Sequence, residues 1–253
     1  MCGRFVSSSS PERIAEYFGA ESNVESLGQN YDVAPTNDIY GVVETPDGNL
    51  EVQVFHWGLI PVWAKDRKIG QKMINARSET IAEKAAFKGD FKKHRCIIPM
   101  DGFYEWAAGI EGGPVTKAGK PAKRPHFIHR VDGEPLAVAG LWSEWKDRSE
   151  GPDAPWLHSA TILTTGANGT MSAIHDRMPV ILPKAMWHLW LDPTNNNIDM
   201  LSKLLVPAPD NLLTMHEVSP EVNNVRKKDA SLVEPHESVA QGTLLESPTA
   251  APD

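Results

Sequence analysis

The sequence predicts an α+β fold built on a curved, barrel-like, mostly antiparallel sheet with short peripheral helices. Three observations carry this reading: the apolar runs are short and of strand type, the helical stretches are few and brief, and no alternating strand–helix period runs along the chain. With 253 residues, 41% of them hydrophobic, the chain can bury a core of its own.

Ser10 ahead of Pro11 reads as an N-cap with proline at the first helical position, opening a short helix through Ile14, Tyr17 and Phe18 that Gly19 ends. Residues 38–43 and 50–55 are β-type runs on either side of Pro46-Asp47-Gly48-Asn49, a hairpin signal. Trp57-Gly58-Leu59-Ile60-Pro61 then reads as a loop. Ser78 is placed to cap a helix through Ile81 and Ala85 to about Phe87, which sets Asn75 and Arg77 just before a helix N-terminus, where backbone N–H groups favour anions. Residues 96–99 and 102–106 follow as buried strands, and 109–125, rich in Gly, Pro and Lys, as an exposed loop. Further strands are expected at 126–131, 136–142 and 158–164, with a polar loop at 147–155. Pro183 opens a short amphipathic helix carrying Trp187 and Trp190, 199–205 forms another, and 212–218 is a last strand. From Asp229 the Ser, Pro, Ala and Glu content predicts a disordered acidic tail over 229–253, leaving 2–228 as a single domain.

No apolar run approaches the ~20 residues that cross a bilayer, and no basic-plus-apolar leader opens the chain. A soluble, cytoplasmic monomer without a membrane partner is expected, nucleoid-associated if bacterial. Cys2 and Cys96 form no CxxC pair, and His126 and His129, three apart on a strand, point to opposite faces, so neither a metal nor a cofactor is expected. Gly-rich phosphate loops, HExxH and GxSxG are absent from the sequence. The net charge of -8 speaks against a polyanion partner, yet residues 229–253 hold five acids and no Lys or Arg. The remaining bases cluster around Lys65 to Arg77, Lys88 to Arg95 and Lys117 to Arg130, as solvated faces or as a phosphate track.

Cys2 is the most informative residue because of its place. Removal of Met1 leaves a 1,2-aminothiol whose amine and thiol, with ordinary pKa values of ~7.7–8.0 and ~8.5, both act as nucleophiles near neutrality. An aldehyde meets the amine as an imine, and the thiol closes a five-membered thiazolidine; the alternative is a cysteine that merely follows the start. Glu105 lies in Gly102-Phe103-Tyr104-Glu105-Trp106, where enclosure by rings suits a general acid or base, or a structural ion pair. His175, in Ile174-His175-Asp176-Arg177-Met178-Pro179, is a titratable ring beside a guanidinium, or a structural histidine. Asn75 and Arg77, in Asn75-Ala76-Arg77-Ser78-Glu79, could orient a substrate and hold a phosphate, or cap a helix.

Together with Cys2-Gly3-Arg4-Phe5, Tyr31-Asp32-Val33-Ala34-Pro35-Thr36, Trp57-Gly58-Leu59-Ile60-Pro61 and Arg95-Cys96-Ile97-Ile98-Pro99, these motifs resemble the SOS response-associated peptidase (SRAP) family, in order from Cys2 to about Val218. The resemblance implies an SRAP-like domain that binds single-stranded DNA at an abasic site and captures the sugar aldehyde on Cys2 in the DNA damage response, with possible lyase activity and self-removal of Met1. It implies that Asn75 orients the amine and the opened sugar, Glu105 is acid and base, and His175 assists ring opening and reversal. It also implies that Arg4, Arg77 and Arg177 hold phosphates with Thr165, and that Trp57 or Trp63 stacks on bases. Two rival readings remain: an amidohydrolase using an N-terminal cysteine nucleophile, and a single-strand binding module in which Cys2 is inert.

Overall fold

Two sheets organise residues 2–236, the part of the chain that the computed structural model describes. The strands are β1 (Phe5–Ser7), β2 (Glu21–Ser22), β3 (Asn30–Val33), β4 (Asp38–Glu44), β5 (Leu50–Trp57), β6 (Asn75–Arg77) and β7 (Arg95–Met100). They continue as β8 (Gly102–Ala107), β9 (Arg124–Arg130), β10 (Leu136–Lys146), β11 (Trp156–Gly166), β12 (Arg177–Pro179) and β13 (Leu213–Glu217). Five helices are short: α1 (Pro11–Phe18), α2 (Lys88–Lys93), α3 (Gly169–Ser172), α4 (Trp187–Leu191) and α5 (Ile198–Lys203).

Strands β11, β10, β7, β4 and β5 pair in that order, and β5 returns to β11, so the sheet closes into a barrel. Every step is antiparallel except the closing one, where Ser159 faces His56 and Ala160 faces Trp57 in parallel. The second sheet, β13-β9-β8-β1-β3, is wholly antiparallel. Strand alternation gives each barrel strand two apolar faces. On one, Phe55, Trp57, Cys96, Ile98 and Ile162 join Phe5 and Phe103 of the second sheet and Cys2 of the segment before β1. On the other, Val42, Val52, Ile97 and Leu163 meet Ile14, Trp187 and Trp190 from the helices.

The fold class is as the sequence predicts, and most elements fall where expected. In α1 the Ser10 side chain accepts from the Arg13 N–H and Gly19 ends the helix at φ 67°. The expected helix at 78–87 does not form: the chain makes a 3-10 turn at Ser78–Thr80 and its helix waits until α2. Ile81 and Phe87 are both buried in the same core, and six residues of helix would set them roughly 120° apart around the axis. Asn75 and Arg77 therefore lie on a strand, β6, paired in parallel with β11, and not before a helix.

The expected tail begins too early. Residues 230–233 form a 3-10 turn, Leu232 is fully buried beside Tyr104, Phe127 and Val222, and Pro235 bridges Val218. An apolar pair, Leu232 and Val233, outweighs the polar composition around it. The rest of the tail, 237–253, lies outside the described residues.

Candidate functional site

Cys2 is held where β1 enters the core. Phe5 pairs with Phe103 and the Tyr104 N–H donates to the Arg4 carbonyl at 3.0 Å, so the register carries Gly3 alongside Glu105. Phe103 and Glu105 share a strand face, and that face meets the cluster containing Cys2. Cys2 is 1% exposed and Glu105 4% exposed. Burial pushes the Cys2 thiol well up, the Glu105 carboxylate pushes it further, and the Arg4 backbone N–H opposes both. The Asn75 amide donates to the Cys2 carbonyl at 2.8 Å, joining β6 to the N-terminal segment across 73 residues of sequence. Its Oδ1 is buried with no hydrogen-bond partner among the described residues. Cys96 is buried too, but apart from any charged group that shifts it: desolvation alone raises its thiol, and it reads as packing.

The route to Asn75 is a loop that leaves β5 and returns to β6. Gly58 at φ 134° lets the loop pinch shut, since a Cβ there would lie 2.6 Å from the Gly70 carbonyl oxygen. The buried Trp145 indole donates to the Ala64 carbonyl at 2.8 Å and fixes the loop to β10. Between these anchors an open groove of about 540 Å³ is lined by Trp63, Lys65, Asp66, Lys68, Ile69 and Lys72 among others. Trp63 is 57% exposed and offers its ring to solvent. Arg77, on the Asn75 face of β6, is exposed and makes no hydrogen bond or ion pair among the described residues.

Other expected contacts are already spent inside the fold. Trp57 is fully buried, its indole donating to the Ile74 carbonyl at 3.0 Å and packing edge-on to Phe5, so it is a core residue and not a stacking platform. Thr165 is buried and donates to the Leu205 carbonyl at 3.2 Å, which takes its hydroxyl out of reach of a phosphate. The Arg4 guanidinium is held by the fully buried Asp32 at 2.6 and 2.5 Å. Arg177 is paired with Glu79 and donates to the Thr164 carbonyl at 2.7 Å. His175 Nδ1 lies 3.0 Å from the Arg177 N–H and 2.8 Å from an Asp176 carboxylate oxygen. One nitrogen cannot accept from the first and donate to the second at once, so its partner is chosen by its proton.

Sequence reasoning missed Asp32, Glu79 and Lys228, which organise these arginines and the segment that carries Cys2. Two of them stood inside quoted motifs, but an acid 28 residues from its arginine gives no local signal. Among the described residues no group of three or more His, Cys, Asp or Glu could hold a metal ion, and no helix is long and apolar enough to cross a membrane.

A sequence-family model described as SOS response associated peptidase (SRAP) matches residues 1–225. The chain belongs to the SRAP family. It is 38% identical to the abasic site processing protein YoqW of Bacillus subtilis (strain 168), over 93% of this chain and 100% of that one. It is 30% identical to the abasic site processing protein YedK of Escherichia coli (strain K12), with the same coverage. The abasic site processing protein HMCES of Xenopus tropicalis is 36% identical over 67% of this chain and 53% of its own. The SRAP fold also appears in a crystal structure of a protein from Bacteroides thetaiotaomicron, with a TM-score of 0.80 and 27% identity, over 93% of this chain and all of that one.

Proposed function

We propose that this SRAP protein captures abasic sites in single-stranded DNA as a thiazolidine on Cys2, shielding the lesion. The observation that carries the reading is convergence: Cys2, Asn75 and Glu105, from three distant motifs, meet at one buried point at the end of a loop lined with lysines and an exposed tryptophan. Hydrolysis of the Met1–Cys2 peptide bond frees the amine. The DNA track is Trp63, which stacks on a base, with the groove lysines and Arg77 on phosphates; Arg177 joins only by giving up part of its pairing with Glu79. An abasic sugar has no base to unstack, so its entry into the pocket is cheap.

The chemistry follows from the placements. His175 moves the proton that opens the deoxyribose to its aldehyde. The Cys2 amine attacks that carbon, and Glu105 protonates the departing hydroxyl, so water leaves and a protonated imine forms. The thiol, kept protonated by burial and by Glu105, then gives its proton to the carboxylate as sulfur bonds to the imine carbon and the C=N electron pair returns to nitrogen. The balance is one water lost and one ring gained. Asn75 holds the Cys2 carbonyl by its amide and presents its open Oδ1 to the sugar. The same imine permits strand cleavage by β-elimination, a side activity that ring closure suppresses.

The test is a denaturing gel of purified protein with a single-stranded oligonucleotide carrying one abasic site, beside an intact oligonucleotide and Cys2→Ala. A slow band only for wild type with abasic DNA supports capture. No band, with Met1 shown by mass spectrometry to be gone, refutes it and leaves the amidohydrolase; binding in native gels that survives Cys2→Ala without any covalent band leaves the binding module.

A further inference from the structure

Through its backbone Arg4 meets the Cys2 thiol and the residue beside Glu105, and through its side chain a buried carboxylate. Its N–H faces the Cys2 thiol, and its carbonyl accepts from Tyr104, next to Glu105. Its guanidinium Nη1 bridges both oxygens of Asp32, whose side chain is 0% exposed, and also donates to the Val222 carbonyl at 3.3 Å. Asp32 is in turn fixed by the segment that follows β13. The Lys228 ammonium donates to the Asp32 carbonyl, the Tyr31 N–H donates to the Lys228 carbonyl at 3.1 Å, and the Tyr104 hydroxyl donates to the Tyr31 carbonyl at 2.7 Å. The Trp106 indole closes the other end of the strap onto Asn223 at 2.9 Å.

We infer that Asp32, braced by Lys228, is a positioning residue: it locks Arg4, and through the Arg4 backbone sets the Cys2 thiol against Glu105. The inference rests on the capture reading above. It gives the arginine a task other than phosphate binding, because a guanidinium held by a buried carboxylate has little left to offer DNA. Both Lys228, which closes the lock, and Leu232, which is buried with Tyr104, lie past the family match that ends at residue 225.

Single-turnover cross-linking to saturating abasic single-stranded DNA tests it, in wild type, Asp32→Asn and Lys228→Met, reading the first-order rate constant, the final yield and the half-saturating DNA concentration. Asp32→Asn is expected to slow the rate constant roughly ten- to a hundred-fold, as a small misplacement of reacting groups does. Lys228→Met is expected to slow it about two- to ten-fold, the worth of one hydrogen bond. In both, yield stays full and half-saturation stays within about two-fold. An unchanged rate constant with reduced yield means lost folded protein only and overturns the inference. So does tighter DNA binding at unchanged rate, the result if Asp32 merely competes with a phosphate for Arg4. If Asp32→Asn does not fold, Lys228→Met decides, and an unchanged rate overturns. Absence of any adduct in wild type sinks the capture reading and this inference with it, which separates the two failures.

Discussion

Asn75→Ala removes one hydrogen bond of the site, the amide donation to the Cys2 carbonyl at 2.8 Å. Cys2 is 1% exposed, so water cannot replace the lost donor, and the carbonyl bears a penalty of about 1–3 kcal/mol. If that energy holds Cys2 in its reactive geometry, the rate of cross-linking falls roughly 5- to 160-fold. If it only holds the folded state, the melting midpoint falls by roughly 2–12 °C and the rate is unchanged. Asn75→Asp separates the cases further: it sets an acceptor against the carbonyl acceptor, and is expected to be slower than Ala in spite of its better shape. Quenched time courses on denaturing gels give the rates and calorimetry the midpoints. A rate within two-fold of wild type for Asn75→Ala, or Asp faster than Ala, would show that the amide does not orient the nucleophile.

Glu105→Gln is expected to slow cross-linking about 10²- to 10⁴-fold by removing the acid and base. The same change deletes the charge that helps raise the Cys2 thiol, so alkylation of Cys2 at about pH 8, where the wild-type thiol is still protonated, becomes faster; both rates falling together would refute the assignment. Trp57→Ala costs about 3–5 kcal/mol of stability as a core deletion. Trp63→Ala leaves stability within about 0.5 kcal/mol and weakens single-strand binding by about 1–3 kcal/mol, measured by chemical unfolding and fluorescence anisotropy; a reversal of the two would mean that the groove is not the DNA track. Deleting 229–253 strips Leu232 from its cluster and lowers stability by about 2–5 kcal/mol, whereas an unchanged unfolding midpoint would show that the strap contributes nothing.

How far the sequence reached varies with the range of the signal. The cap at Ser10, the hairpin around Pro46 and the two successive strands at 96–106 were readable because turn chemistry and alternation act over a few neighbours. The helix at 78–87 failed because its composition favoured helix while Ile81 and Phe87 answered to a common core. Glu105 could be singled out as an acid among rings, but Trp57 and Trp63, six residues apart in the sequence, could not be told apart. One faces Phe5 across the core and the other faces solvent.

By itself the sequence determined the fold class, the family and the chemical kinds at the site: an aminothiol once Met1 is gone, an amide, a carboxyl and an imidazole. These depend on residue identity and local order, which the chain carries explicitly. Only the tertiary structure decided which groups are available. It gave Arg4 to Asp32, Arg177 to Glu79 and Thr165 to Leu205, left Arg77 and Trp63 open, and brought Asn75 onto Cys2. The physical reason is that a polar group's availability depends on whether burial has already forced it to find a partner, and those partners lie 28 to 98 residues away, where no local pattern reaches.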